Sequence, residues 1–378
     1  MALSLTALVG LFLRRLRPPQ LAQLTETSNA ARLAGKATRT PRDTAPALQL
    51  KSLSKDEVPE RLRPEFYFDF DRYPFAHSVL ITGAHDVIEV LEKIHDYTAT
   101  WIERKLQNRS SSATTFDDLT RQGLSLKVVG ARPRVFVEQG SGLRGEGMNE
   151  AAFAPDALIG SLSTPSGQAA AAGQPHFALH IDVGAKILGG TFDLRSGGVY
   201  IGPGAVMEPG AHVAGPAIIG PRAVLRHGAY VRGDVIIGEG AVLRGELKNS
   251  IVMDHAELAH PGYAGDSIIG YKGHFGCQAL TANLGLFGNE LCVHVPGVSG
   301  DDGDGCRVAL GRRKVGLILG DGSQLGCGTV TDPATLVGPQ THVYPLARLS
   351  AGCYGPNEII KSRPEACGLL KREALQPR

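Results

Sequence analysis

Three polar stretches in the second half of the chain contain the residue types that acid–base chemistry requires. They begin at Glu246 (ELKNSIVMDHAELAHPGYAGDSIIG), Cys277 (CQALTANLG) and Gly311 (GRRKVGLILGDG). Within the first of them, His260 can accept a proton near neutral pH. The stretches also supply fixed cations and amide groups: Lys248, Arg312, Arg313, Lys314, Asn249 and Asn283. This combination predicts a site that binds a phosphorylated substrate and removes a proton from it.

Composition narrows the class of protein. The 378 residues include 48 glycines, only 6% are aromatic and 20% are charged, as expected of a chain with many turns and small packed side chains. The net charge is only +2, without the large excess of basic residues that nucleic-acid binding requires, so nucleic acid is not an expected partner. None of the six cysteines has a tight metal-binding spacing, and we expect mostly buried, reduced thiols: Cys277, Cys292, Cys306, Cys327, Cys353 and Cys367.

A six-residue repeat organises the chain from residue 201. Every sixth residue is a large aliphatic one: Ile201, Met207, Val213, Ile219, Leu225, Val231, Ile237 and Leu243. Four residues after each stands a mostly small one: Ala205, Ala211, Ala217, Ala223, Ala229, Val235, Ala241 and Leu247. A period of six fits neither an α-helix nor a simple hairpin array. It predicts a triangular solenoid in which three hexads close one coil and the coils stack at about 4.8 Å.

The repeat is interrupted and then resumes. A second run in the same rhythm comprises Leu319, Leu325, Thr331, Val337, Val343 and Leu349. Between the runs the phase shifts by two, because Ile251, Tyr263, Ile269 and Phe275 fit a frame that Leu243 does not. An excursion at about 285–312 follows, and insertions at solenoid corners often shape a binding face. Its DDGDG stretch at 301–305 is a weak candidate for a calcium loop.

The residues before the repeat have a different pattern. The segment DVIEVLEKIHDYTATWIERKL predicts a helix with one apolar stripe: Val87, Val90, Leu91, Ile94, Tyr97 and Trp101. We therefore predict a linker and helical segment at 43–130, a β-helix at 131–365 with insertions at about 144–178 and 285–312, and a C-terminal tail at 366–378.

Residues 1–42 have the amino-acid composition of an organellar transit peptide. They carry six arginines and one lysine against a single acid, Glu26. The apolar run 1–13 is too short to span a bilayer, and its charges follow it, unlike those of a secretory signal. We expect import into the mitochondrion, with the plastid as the alternative, and no transmembrane segment.

The stretch 199–270, with its HxxY-x-GD phrase, and the GRRKVGLILGD stretch give the chain a family resemblance. It resembles the C-terminal left-handed β-helix domain of sugar-1-phosphate nucleotidylyltransferases, among them N-acetylglucosamine-1-phosphate uridylyltransferase/glucosamine-1-phosphate acetyltransferase. The resemblance covers about 185–365. It implies an all-β, left-handed parallel β-helix of hexapeptide repeats, acetyl-CoA as donor, and a homotrimer with the site between subunits.

The resemblance also assigns roles to residues. His260 matches the general base that takes a proton from a sugar amine as the amine attacks the thioester. Substrate-binding positions are matched by Arg226, Lys248, Tyr263, Asn283 and Lys314. For Arg312 and Arg313, contact with the phosphates of coenzyme A and simple exposure both remain open.

The chain departs from the family at several points. His274 replaces a pocket asparagine, Leu284 replaces a tyrosine, and residues 1–190 contain no GxGTRM-type loop, so nucleotidylyl transfer is not supported. A zinc alternative rests on His255 and His260, which are similar to two ligands of the γ-carbonic anhydrases. His227 does not have the spacing of a third ligand.

Two main classes of function remain. The first is an acyltransferase that moves an acetyl group from acetyl-CoA to an amino sugar phosphate or nucleotide sugar, and it requires no metal. The second is a non-catalytic structural subunit of a mitochondrial or plastid assembly. A γ-carbonic-anhydrase-like zinc protein is the third and weakest alternative.

Overall fold

The computed structural model describes residues 46–107, 126–129, 134–137, 178–297, 305–362 and 370–374. The predicted transit peptide at 1–42, nearly all of the insertion at 144–178 and residues 301–304 of the DDGDG stretch lie outside these ranges. The predicted boundary at 131 falls between Leu126–Val129 and Arg134–Val137, and both of these strands pair with the repeat.

Short parallel strands stack into a prism with three faces. We call the first the covered face; its strands are Arg134–Val137, Ala178–Ile181, Val199–Ile201, Ala217–Ile219, Val235–Ile237, Leu317–Leu319, Thr335–Val337 and Gly352–Tyr354. The open face consists of Leu126–Val129, Gly190–Asp193, His212–Ala214, Tyr230–Arg232, Leu280–Thr281, Val330–Thr331 and Arg348–Leu349. Two longer strands run from the open face onto the covered face: Glu246–Val252 and Tyr263–Ile269.

The third face contains only short strands until its last two. They are Lys186–Ile187, Val206–Met207, Val224–Leu225, Val242–Leu243, Glu257–Leu258, His274–Phe275, Gln324–Leu325, His342–Val343, Glu358–Ser362 and Leu370–Ala374. The final strand is antiparallel to Glu358–Ser362, and the others are parallel. Within a regular coil, Ala217 pairs with Val235 and Val224 with Val242, eighteen residues on in each case. The prediction of a left-handed parallel β-helix of hexapeptide repeats is confirmed.

The interior of the prism is filled by the residues that the hexad frame selects. All the large and small positions predicted from 201 to 247 are buried there, and so are Leu319, Leu325, Val337, Val343 and Leu349 of the second run. At the phase break the frame was wrong for Ile251 and Tyr263. Val252 and Ala264 point inward instead, because a shift of one residue along a strand moves every side chain to the opposite face.

The covered face carries a second column of apolar residues that point outward. This column contains Tyr200, Ile218, Ile236, Ile251, Ile268, Ile318 and Leu336, all of them buried. The N-terminal segment covers them. It consists of the 3₁₀ turns Leu50–Ser52, Lys55–Glu57, Glu60–Leu62 and Pro64–Phe66, and of the helices α1 (Ser78–Thr82) and α2 (Val90–Gln107). The helix predicted from the apolar stripe is therefore α2, and its stripe packs on this column.

Ahead of α2, Asp86 fixes the entry of the chain into the helix. Its Oδ1 accepts hydrogen bonds from the backbone N–H groups of Ile88 and Glu89, each at 2.9 Å. These donors lie in the turn just before α2, and the carboxylate satisfies them. Neither helix of the described ranges has the length and apolarity that crossing a bilayer requires.

The predicted excursion contains a hairpin. Its strands Cys292–Val295 and Cys306–Ala309 are antiparallel, and Leu48–Gln49 adds to the second of them as a parallel third strand. The chain leaves the coil after Thr281 and rejoins it at Leu317. The excursion and the N-terminal segment are thereby joined beside the covered face.

A buried carboxyl group, Asp321, attaches the N-terminal segment to the coils. Its Oδ2 accepts a hydrogen bond from the backbone N–H of Asp69 and its Oδ1 one from that of Tyr271, each at 2.8 Å. Burial nevertheless dominates and raises the pKa of Asp321 to about 6. The folded chain therefore binds this proton more tightly than the unfolded chain does.

This raised pKa predicts a pH dependence of stability. A carboxyl with a folded-state pKa above its unfolded value stabilises the fold below the unfolded value of 3.8 and loses that contribution as pH rises through about 6. Between pH 7 and 4.5 the free energy of unfolding of the wild type should gain roughly 2 kcal/mol relative to Asp321→Asn, which cannot titrate. Urea unfolding at both pH values measures this difference. Equal pH dependence of the two proteins would show that Asp321 does not titrate abnormally.

Candidate functional site

One corner of the prism, where the third face passes into the open face, is recessed. Between Leu243 and Glu246 the chain makes this corner with only Arg244 and Gly245. The coils on either side use longer turns, at 226–229 and 259–262. We call residues 226–228, 244–245 and 259–262 the notched corner. The short turn accounts for much of the phase break that the sequence shows.

Arg226 bridges the notch. Its Nη1 donates a hydrogen bond to the carbonyl oxygen of Ala259 at 3.3 Å, across the intervening coil. The neighbouring residue, His260, is exposed, and in the described ranges its ring has no hydrogen-bond or ion-pair partner. The notched corner thus holds a guanidinium group close to a histidine whose ring is not engaged within the described ranges.

Tyr263 begins the strand that follows the notched corner. It stands between Glu246 and Leu280 on the open face and is half-buried. Burial raises the pKa of its hydroxyl, and the nearby Asp266 and Glu246 carboxylates raise it further, so the phenol stays protonated. A methyl group at Gly265 would collide with this hydroxyl. The glycine therefore provides the space that Tyr263 occupies.

Asp266 connects several of the predicted residues. Its side chain is 8% exposed, and it accepts hydrogen bonds from the amide nitrogens of Asn249 at 2.8 Å and Asn283 at 2.6 Å. The Asn249 amide also donates to the carbonyl of Leu91 in α2. The Nδ2 of Asn283 is therefore bound within the protein.

The three consecutive cations differ in their surroundings. Arg312 has a side chain only 17% exposed and lies 3.9 Å from both Glu92 Oε1 and Asp266 Oδ1. Its Nη1 is buried, with no hydrogen-bond partner in the part of the chain that the structure describes. Arg313 Nε donates to the carbonyl of Gly288. Lys314 is exposed and forms a backbone bridge with Leu284. This placement favours a structural role for Arg312.

Two cations on or beside the open face remain unpaired within the described ranges. Lys248 is half-exposed and stands opposite Gly265 on the next strand, whereas the neighbouring Arg232 is engaged by Glu246 at 2.6 Å. Arg244, at the short turn, is exposed. Sequence reasoning missed Arg244. The signal for it was Leu247, a large residue at a position where most of the repeats have alanine, which the structure pairs with the large residue Val231 of the preceding coil.

The histidines of the zinc alternative lie apart. His255 forms the corner between the covered and third faces, with φ = 58°, and its ring contacts Tyr271. The strand Glu257–Leu258 separates it from His260 at the notched corner. His274 lies on the third face, 3.5 Å from Glu257. No group of three or more potential ligands among the described His, Cys, Asp and Glu residues could hold a metal ion.

The structure thus brings His260 and Arg226 together at the notched corner and places Tyr263 and Lys248 beside it on the open face. Asn283 adjoins this group through a side-chain hydrogen bond with Tyr263. Arg312 lies on the far side of Asp266, beside α2.

The fold and the notched corner together define a hexapeptide-repeat β-helix with a histidine and cations that have no partner in the described part of the chain. No family model matches the chain. It is 32% identical over 102 residues to the bifunctional sugar-1-phosphate nucleotidylyltransferase/acetyltransferase of Sulfurisphaera tokodaii. The matched residues are 27% of this chain and 23% of that relative. It is 30% identical over 114 residues to the bifunctional protein GlmU of Methanococcus maripaludis. These residues are 30% of this chain and 24% of that protein.

The resemblance seen in the sequence is confirmed by these relatives, although the chain spans only about a quarter of their length. Among solved structures, the polysialic acid O-acetyltransferase OatWY overlaps 67% of this chain and 91% of its own at 13% identity, with a TM-score of 0.28. The UDP-N-acetylglucosamine acyltransferase of Francisella novicida overlaps 52% of this chain and 67% of its own at 11% identity, with a TM-score of 0.27.

Proposed function

We propose that this chain is an acyltransferase that transfers an acetyl group from acetyl-CoA to the amino group of a sugar phosphate or nucleotide sugar. The observation that carries the proposal is the exposed His260 near Arg226 at the notched corner, whose ring has no partner among the described residues. The Sulfurisphaera tokodaii relative, a sugar-1-phosphate nucleotidylyltransferase/acetyltransferase, supports the same reaction class.

In the proposed reaction His260 acts as general base. Its imidazole removes a proton from the acceptor amine as the nitrogen attacks the thioester carbonyl. The new bond joins nitrogen to the acyl carbon, the carbon–sulfur bond breaks, and coenzyme A leaves as the thiol after protonation. Tyr263 is protonated and can donate a hydrogen bond to the acceptor.

The cations near the notched corner are proposed to hold the acceptor phosphate. Arg226 spans the notch, and Lys248 has no ion-pair partner within the described ranges. Lys314 is a third exposed cation, at the end of the excursion. Arg313 is the better placed of the two predicted coenzyme A ligands, because it is exposed while Arg312 lies between carboxylates.

The open face also supports self-association. It exposes Tyr230, Leu280 and Val330, and the chain that leaves it after Thr281 exposes Leu286 at 99% and Phe287 at 88%. Leu280 and Val330 are paired on adjacent strands, and contiguous exposed apolar residues mark interaction sites. We propose a homotrimer in which a neighbouring copy completes the site. Sedimentation equilibrium tests this, and a mass of 39.9 kDa, that of a single chain, would refute it.

The excess of arginine over acidic residues at 1–42 supports import into the mitochondrion, with the plastid as the alternative destination. A fluorescent protein fused after these residues tests the proposal in cells. Fluorescence that remains in the cytosol would refute it.

The acceptor class can be tested with matched substrates. The purified chain is incubated with acetyl-CoA and either an amino sugar or the same amino sugar 1-phosphate, and thiol release is followed. We expect Lys248→Ala to raise KM for the phosphorylated acceptor about 10-fold and to leave the reaction of the unphosphorylated one unchanged, because only the former loses a charged hydrogen bond. Absence of thiol release by the wild type with every acceptor would refute the proposal. Co-migration of such an inactive chain with a large organellar complex would then favour the structural subunit.

A further inference from the structure

Two cysteines occupy equivalent positions in consecutive coils. Phe275 pairs with Leu325 and Leu280 with Val330, so the turns between these strands have equal length and place Cys277 opposite Cys327. The residue after each cysteine has a positive φ, 59° at Gln278 and 68° at Gly328. The N–H of Gly328 donates to the carbonyl of Cys277 at 2.8 Å. The two turns therefore share one backbone conformation and stack directly.

Stacked positions in neighbouring strands lie about 4.8 Å apart. A disulfide requires Cα atoms at about 4.4–6.8 Å and Cβ atoms at about 3.5–4.5 Å. Equivalent positions in consecutive coils meet the first condition, and a small lean of the two side chains toward each other meets the second. Cys277 is half-buried, Cys327 is exposed, and both thiols are free. A small oxidant can therefore reach at least one of them.

The other described cysteines lack such a neighbour. Cys292 stands opposite Ala309, and Cys306 stands opposite Val295 in the hairpin of the excursion. Cys353 stands opposite Leu336. Burial raises the pKa of the Cys353 thiol to about 11 and also raises that of Cys306, which keeps both protonated and less reactive. The expectation of mostly buried thiols was wrong for the five described cysteines, since four are half-buried and Cys327 is exposed.

We propose that Cys277 and Cys327 form a reversible disulfide that clamps two coils together beside the notched corner. With oxidised glutathione as oxidant, the Cys327 thiolate attacks its disulfide and releases one glutathione thiol. The Cys277 thiolate then displaces the second glutathione, so two protein thiols are oxidised and one glutathione disulfide is reduced. The bridge closes a loop that contains the whole excursion and restricts the unfolded chain.

Oxidation of the folded full chain tests the proposal. The protein is equilibrated with oxidised glutathione, and its peptides are mapped by mass spectrometry without reduction. We expect a cross-linked peptide pair containing Cys277 and Cys327, a Tm higher by about 5–10 °C, and reversal of both by dithiothreitol. Each of Cys277→Ser and Cys327→Ser should abolish the cross-link and the Tm shift. Cys292→Ser, the matched control, should keep both.

Several results would overturn the disulfide. They are glutathione adducts without a cross-link, a bridge from either cysteine to another one such as Cys367, and a cross-link that leaves Tm unchanged. The measurements need neither substrate nor coenzyme A. Their outcome is therefore independent of whether the chain is an acyltransferase.

Discussion

Replacement of His260 by alanine should reduce kcat/KM of the proposed acyl transfer by about 10²–10⁴-fold while the chain stays folded. Removal of a positioned general base typically costs this much, because the attacking amine must then lose its proton to water. The side chain is exposed and makes no hydrogen bond within the described ranges, so its loss removes no packing. Initial rates of thiol release, together with thermal unfolding of the same preparations, measure both expectations.

A histidine at a different corner provides the control. His255 is also exposed, but it lies between the covered and third faces. Its φ of 58° is one that asparagine tolerates, so His255→Asn should preserve the backbone and the activity. If His260→Ala is as active as the wild type, another group is the base. If His255→Asn is equally inactive, the effect of His260 does not come from the notched corner.

Replacement of Ile236 by alanine should lower the free energy of unfolding by about 2–5 kcal/mol. Ile236 is fully buried although it points out of the prism, because it packs under the N-terminal segment. Deleting most of its side chain loses buried apolar surface and leaves a cavity between two rigid layers. Urea unfolding of the wild type and the variant measures the difference.

An exposed residue of the covering segment is the matched control. Val79 of α1 is 66% exposed, and Val79→Ala should change the free energy of unfolding by less than about 0.5 kcal/mol. If Ile236→Ala costs no more than Val79→Ala, the N-terminal segment does not pack on the covered face in solution. Both proteins should keep the β-rich far-UV circular dichroism of the wild type, since the prism interior is untouched.

The hexad frame predicted the prism because one large side chain in six must fill a narrow interior, and local spacing alone records that requirement. The outward column under α2 has a local signal as well. The repeated pairs Ile218-Ile219, Ile236-Ile237 and Ile268-Ile269 each place one residue inside and one outside the prism. The hexad frame explains only the inner member, which is why sequence reasoning did not find the covered face.

The sequence by itself determined the coil, the excursion and the residue types that could carry out acyl transfer. Only the tertiary structure decided which of them meet. Arg226 reaches Ala259 because the turn at Arg244 and Gly245 is short, and Arg312 is drawn between Glu92 and Asp266 by the packing of α2. Such contacts join residues far apart in the chain. They depend on how coils stack and on which segment covers a face, and neither is recorded in the spacing of residues along the sequence.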